Sequence, residues 1–174
     1  MEAKFKFLNK TLFCEYADKI FEILADNMSI IAPTGNTRDE DFKIWYHAIS
    51  EEIKNDNREI ILILENETNN IIGFFKYSTT IDTFVMEEIQ LCDKFQGSGN
   101  IFRDLYSFVL KNICNELMYV EAFADKRNHK SIGILKKLGL KVIGENKNGI
   151  SFHFKGSFID LKNWHLNQNP KAWR

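Results

Sequence analysis

The sequence is short of proline, short of cysteine and without a surplus of charge. Two prolines in 174 residues, with no internal repeat and no low-complexity stretch, leave nothing that reads as an interdomain linker. The three cysteines, Cys14, Cys92 and Cys114, are odd in number and far apart. Lacking a CxxC pair or zinc-finger spacing, they argue against a disulfide framework and against a zinc site. Lys and Arg number 23 against 24 Asp and Glu, a net charge of −1. Nonspecific nucleic-acid binding needs cations in excess against the phosphates, so no nucleic-acid partner is expected. No apolar run approaches the roughly 18 residues that cross a bilayer, so no membrane partner is expected either. The opening MEAKFKFLNK has neither the apolar core nor the small-residue cleavage site of a signal peptide. The sequons at Asn9, Asn27 and Asn66 therefore carry no weight, and a reducing cytoplasm is the expected compartment.

What is present suits a folded globule. Apolar residues make up 44% and charged residues 27%, and the 15 Phe, 5 Tyr and 3 Trp argue against disorder. A chain of this length fits one domain and can bury about 70% of its unfolded surface, enough to need no staple. Residues 4–8 alternate as a short edge strand. Phe13, Ala17, Ile20, Leu24 and Met28 recur at helical spacing. PTGNTR at 33–38 is loop chemistry, and Phe42, Trp45, Ile49 and Ile53 mark a second helix with Asp39 or Asp41 near its positive end. Strand-like runs at 59–65 and 71–77 flank the turn ETNN. A third run, Thr83 to Cys92, carries Glu87 and Glu88 and ends in DKFQGSG. A helix bearing Phe102, Leu105, Val109 and Ile113, a strand from Met118 to Ala124, a short helix from His129 to Leu138, and strands at 140–144 and 150–155 complete the order. The tail, 157–174, receives no element. The order of elements makes an α+β or α/β single domain.

Gln96-Gly97-Ser98-Gly99-Asn100 is the most informative segment, because a strand runs in and a helix runs out. Two glycines permit a sharp turn and close approach of a ligand, and a helix start offers unpaired N–H groups and partial positive charge to an anion. A plain strand-to-helix turn would look the same. The segment is neither a Walker loop nor a nucleophile elbow, since Gln96 stands where the elbow needs glycine.

The second segment, NHKSIGILKKLGL at 128–140, follows one strand later. Together the two resemble the GCN5-related N-acetyltransferase (GNAT) superfamily. Its acyl-CoA motif [QR]-x-x-G-x-[GA] is met by Gln96 and Gly99, around Gly97 and Ser98, with Ile101 in place of the last small residue. Its later motif N-x-x-[SA]-x-x-x-Y-x-K-x-G-[FL] is met by Asn128, Ser131, Lys137, Gly139 and Leu140, with Leu135 at the tyrosine. The resemblance covers about residues 58–155. It implies one acyl-CoA N-acyltransferase-like domain over 1–174, with a mixed central sheet of about seven strands flanked by about four helices. It also implies acetyl-CoA as acyl donor and no metal.

On that resemblance, the strand before the loop splays from its parallel neighbour, and backbone groups at Ile89 and Leu91 pair with the pantetheine arm as an added strand would. The amides of Gly97, Ser98, Gly99, Asn100 and Ile101 cradle the pyrophosphate, with Asn128 and Ser131 of the later motif also on the donor side. A helix terminus contributes only about 0.3–2 kcal/mol per anion, whereas micromolar affinity needs about −8 kcal/mol, so the pantetheine pairing must share the load.

The implied reaction is direct attack of an amine on the thioester. An amine of pKa about 10.4 is almost wholly protonated at pH 7, a deficit of about 4–5 kcal/mol in nucleophile population, so a base must take the proton. Glu87 is the first choice, lying four residues before Leu91 and hence on the same strand face. Glu88 points the other way unless a bulge intervenes. His47, His129, His153 and His165 show no metal-ligand spacing. Cys92 reads as a small buried hydrophobe. Trp45, Tyr46 and the loop 30–38 lie where the family closes over the acceptor, although core packing serves Trp45 equally well. The acceptor is a small-molecule or peptide amine that the sequence does not name, and the aromatic tail offers a surface to a second copy in a homodimer. A GNAT-like module that binds acyl-CoA without turning it over, and a structural domain without a ligand, are the competing classes.

Overall fold

The computed structural model describes residues 2–97, 99–113 and 116–166, with only the backbone of residues 99, 165 and 166. The elements run β1 (Ala3–Phe7), α1 (Lys10–Ile31), α2 (Arg38–Glu52), β2 (Arg58–Glu65), β3 (Ile71–Thr79), β4 (Thr83–Leu91), α3 (Gly99–Asn112), β5 (Tyr119–Asp125), α4 (His129–Lys137), β6 (Lys141–Glu145), β7 (Ser151–Ser157) and α5 (Phe158–Leu166). The seven strands form one mixed sheet in the order β1-β2-β3-β4-β5-β7-β6, as the expected fold class requires. Among the described residues five α-helices stand where about four were expected. The addition is α5, in the tail, whose Phe158 and Leu161 are fully buried. By contacts the chain divides into two compact units, Met1–Lys76 with Glu88–Ser98, and Tyr77–Glu87 with Gly99–Arg174.

In the first unit β1 pairs antiparallel with β2, Phe5 opposite Ile63. Phe13, Ala17, Ile20 and Ile23 of α1 share a core with Ile60, Leu62 and Leu64 of β2 and with Ile71 and Phe74 of β3. Burying each large apolar side chain there is worth about 1.5–3 kcal/mol. Asn9 caps α1 by accepting from the Leu12 amide at 2.9 Å. Thr37 and Glu40 close a capping box on α2, which satisfies two otherwise unpaired donors. Asp39 and Asp41 both lie in the first turn of α2 as expected, and Asp41 also accepts from Thr34 and Asn36 in the preceding loop. Glu52 at the end of α2 pairs with Lys76 at 3.0 Å and Arg58 at 3.4 Å.

In the second unit the register of β4 with β5 is parallel, from Thr83↔Tyr119 to Met86↔Ala122. Parallel neighbours need a crossover, and α3 supplies it. β5 pairs antiparallel with β7, and β7 with β6, which carries an irregularity between Val142 and Gly144. β5 alternates strictly: Val120, Ala122 and Ala124 are buried, while the odd residues turn to the other face. Phe84 packs its ring on Phe158, 5.8 Å between centroids, and α5 also meets α3, β5 and β7. Among the described residues no helix is long and apolar enough to cross a membrane.

Candidate functional site

In the first unit β4 ends at Leu91, and a single 3-10 turn, Asp93–Phe95, follows. Phe95 is buried and anchors that turn, with the Lys94 ammonium 4.5 Å above its ring. Gly97 then takes φ 79°, a left-handed conformation that favours glycine. A Cβ at this position would meet nothing within 4 Å, and the glycine is exposed, so the backbone there is open to approach. Ser98 falls outside the described residues. The side chain of Gln96 turns inward, its Nε2 donating to the Leu91 carbonyl (3.2 Å) and to Asn27 Oδ1 (3.1 Å). The Leu91 carbonyl also accepts from Asn27 Nδ2 at 3.0 Å. A carbonyl has two lone pairs, so two side-chain amides already engage this one. Ile89 is half-buried. Glu88 accepts from Gln90 Nε2 at 3.1 Å.

The second unit holds the other half of the expected residues. Glu87 accepts from the Ser78 hydroxyl at 2.7 Å. Gly99 starts α3, Asn100 is exposed and Ile101 is buried in the core. Asn128 caps α4, its Oδ1 accepting from the Ser131 amide at 3.0 Å. Just before it, Arg127 holds Asp125 bidentately, at 2.9 and 2.7 Å, and pulls that carboxyl down to about 2. Gly139, at φ 85°, ends α4. The backbone of Leu140 then donates to the Leu135 carbonyl at 3.1 Å, a left-handed stop for which glycine is preferred. The Asn-Ser and Lys-x-Gly-Leu pairs of the later motif thus begin and end one helix.

No protein-family model and no curated protein sequence matches the chain. Solved structures do. The PaiA N-acetyltransferase from Thermoplasma acidophilum in complex with coenzyme A superposes with a TM-score of 0.69 at 12% identity, over 91% of this chain and 100% of that one. An acetyltransferase from Thermus thermophilus gives 0.69 at 11%, over 90% and 97%. A GNAT family acetyltransferase from Elizabethkingia anophelis with acetyl-CoA bound gives 0.59 at 15%, over 89% and 97%. The chain has the GNAT fold.

Two departures from the GNAT motifs have a structural account. Ile101 stands where the acyl-CoA motif ends in a small residue, and its side chain is 1% exposed; the extra bulk fills the core of the second unit. Leu135 stands at the tyrosine and is buried at 8%. Of the other tyrosines, Tyr106 is fully buried with its hydroxyl on Met86 Sδ, and burial pushes its pKa far up. It cannot serve as an exposed proton donor. Tyr119 is 38% exposed, beneath the Lys155 ammonium at 4.1 Å.

Among the remaining candidates, Trp45 packs on Phe13, Phe21 and Phe42, with centroids 5.5–6.1 Å apart, and its buried Nε1 has no partner among the described residues. Tyr46 lies against Phe13 at 4.8 Å. Burial pushes the Cys92 thiol up, against the opposing pull of Lys19 and Lys94. Cys92 and both lysines line a cavity of about 550 Å³ together with Thr68, Asn69 and Asn70. His47 and His129 are exposed, and the side chain of His165 lies outside the described residues. No group of three metal-ligating side chains converges among the described residues.

Sequence reasoning missed two clusters. On the second unit, Glu121 accepts from Lys155 (2.7 Å) and pairs with His153 Nε2 (3.0 Å), and the His153 ring stacks on Phe123 at 4.3 Å. Lys155 holds the Glu121 carboxyl below its ordinary range, with His153 helping and burial opposing. The antiparallel register that puts Glu121 opposite Lys155 and Phe123 opposite His153 was implicit in two alternating strands, but their pairing was not. The other cluster is the set of amides around Asn27.

Proposed function

We propose that the chain is an acetyl-CoA-dependent N-acetyltransferase acting on an amine. The observation that carries the reading is the turn at Gly97. Between a strand and the crossover helix of a GNAT fold, it offers a left-handed glycine with empty space beside it, where a phosphate-bearing donor needs close backbone approach. The amides of Gly99, Asn100 and Ile101 open α3, the positive end of a 14-residue helix. Ile89 supplies the strand backbone for the pantetheine arm, because the Leu91 carbonyl is already engaged.

The donor brings the thioester. A carboxylate of this chain, Glu87 or Glu88, takes a proton from the acceptor ammonium. The freed nitrogen forms the new C–N bond, the C–S bond breaks, CoA leaves as a thiolate, and the surplus proton on the new amide nitrogen passes to that thiolate or to water. A free thiol has a pKa near 8.5, so the thiolate departs without a strong acid, and Leu135 supplies none. That leucine favours a second reading, an acyl-CoA-binding module with little or no turnover.

Isothermal titration with acetyl-CoA and release of CoA thiol with an amine panel separate the two. Micromolar binding with thiol release supports the enzyme, and tight binding without release supports the module. Gly99→Asp should abolish binding by setting a side chain and a negative charge against the pyrophosphate. Unchanged affinity in a folded variant would remove the site.

A further inference from the structure

Asn27 lies near the end of α1, an amphipathic helix on which a polar residue ordinarily meets water. Its amide is instead half-buried, and its hydrogen bonds run to β4 and to the turn beyond. Asn27 Nδ2 donates to Gln90 Oε1 at 2.8 Å and to the Leu91 carbonyl at 3.0 Å. Asn27 Oδ1 accepts from Gln96 Nε2 at 3.1 Å, and that same nitrogen reaches the Leu91 carbonyl at 3.2 Å. Gln90 Nε2 donates in turn to Glu88 Oε1 at 3.1 Å.

Three side-chain amides are thereby aligned head to tail, Gln96 to Asn27 to Gln90, and the line ends on a carboxylate. Asn27 and Gln90 each accept on oxygen and donate from nitrogen, and Gln96 heads the line as a donor from Nε2. Turning any one over would set donor against donor or acceptor against acceptor. Such a chain polarises in one direction, and an anion is the acceptor that best completes it. Anchoring α1 would not require this, since Phe13, Ala17, Ile20 and Ile23 already do so with apolar surface, and a buried amide costs stability unless it is bonded.

We infer that Asn27 is a positioning residue at the centre of a relay. On one side it fixes Gln96 and the Leu91 carbonyl, hence the turn that opens the donor site. On the other, through Gln90, it orients the carboxylate of Glu88. Seating of the donor and orientation of Glu88 are coupled along one line, which singles out Glu88 from the two candidate bases. The inference rests on the acetyl-transfer reading above.

Two variants of the full chain divide the relay. Asn27→Asp is nearly isosteric and still accepts from Gln96, but it replaces both donations with an oxygen that repels Gln90 Oε1 and the Leu91 carbonyl. Gln90→Met keeps the length of the side chain and removes the link to Glu88 together with the Asn27–Gln90 bond, while the Asn27 bonds to Gln96 and to the Leu91 carbonyl remain. Asn27→Asp should raise the acetyl-CoA dissociation constant by about tenfold and also lower kcat. Gln90→Met should hold that constant within about twofold and lower kcat by about tenfold or more. A merely structural role would lower both melting temperatures and leave this split absent, which overturns the inference. So would equal loss of affinity in the two variants, or a Ser78→Ala variant that lowers kcat while Gln90→Met does not.

A ligand-free measurement keeps the relay and the enzyme reading apart. The side-chain amide protons of Gln90 and Gln96, followed by NMR, should exchange slowly in the parent and fast in Asn27→Asp. Fast exchange in the parent overturns the relay whether or not acetyl-CoA binds. Slow exchange, with neither acetyl-CoA binding nor thiol release, retains the relay's geometry and removes the acetyl-transfer reading together with the coupling.

Discussion

Gly73 in β3 should tolerate no side chain. A Cβ placed there would lie 2.3 Å from the Gln90 carbonyl oxygen, 2.6 Å from Leu91 Cδ2 and 3.2 Å from Leu91 Cα. Side-chain carbons essentially never approach closer than 3.0 Å, so β4 must withdraw by about 0.7 Å at Gln90. The nearest obstacle is backbone, which cannot swing aside as a flexible side chain can. Overpacking of this kind costs about 1–3 kcal/mol. For a chain of 174 residues, each kcal/mol corresponds to about 2–4 °C, so Gly73→Ala should melt about 2–12 °C below the parent. Calorimetry and urea denaturation monitored by circular dichroism would measure it, with an unchanged urea slope expected if only stability has moved. Because the displaced residues carry the Asn27 bonds, acetyl-CoA affinity should fall as well. A melting temperature within 1 °C of the parent would refute the steric reasoning.

Gly133, inside α4, meets nothing within 4 Å of a would-be Cβ. Gly133→Ala should therefore stabilise the fold by about 0.5–1 kcal/mol, a rise of about 1–4 °C, and a lower melting temperature would contradict the open space. The Glu121 carboxyl titrates below its ordinary 4.5 in the folded chain, so the unfolded chain takes up that proton first. The stability this gives is complete above about pH 4.5 and is lost as the pH falls through the folded value. Glu121→Gln should flatten that part of the urea-midpoint profile; parent and variant declining in parallel would show that the pair contributes nothing. Leu135→Tyr should raise kcat by about tenfold or more if proton donation to the thiolate limits turnover. Thiol release unchanged at every pH would show that departure needs no donor from this position.

The helices and strands that bury one face were legible because their apolar residues repeat at 3.6 or at 2. Phe13, Ala17 and Ile20 announced α1, and Val120, Ala122 and Ala124 announced β5. The box on α2 is also spelled out, as Thr37 followed three residues later by Glu40. α5 escaped because it follows β7 without a break, Ser157 closing the strand and Phe158 opening the helix, so no turn residues mark its start. Asn27 escaped for a different reason. Its partners Gln90 and Gln96 lie 63 and 69 residues away, and a lone asparagine in a helix carries no periodic signal that would distinguish a buried hub from a wet surface. Glycines divided in the same way. Gly97 and Gly139 sit at turns that sequence can mark, whereas the need for Gly73 arises only from the strand laid against it.

The interleaving of the two units bears on how the chain is made. No continuous fragment consists of the first unit alone, because its last segment begins at Glu88, after residues that belong to the second. During synthesis the N-terminal portion usually folds first. Here α1, α2, β1 and β2 would emerge with one edge of their sheet waiting, until β4 cleared the ribosome with part of the second unit already drawn through. The first unit therefore cannot be completed before residues 88–98 have been made. A stall between Lys76 and Glu88 would leave an incomplete sheet with a bare edge, the kind of surface that chaperones hold until the remaining strand arrives.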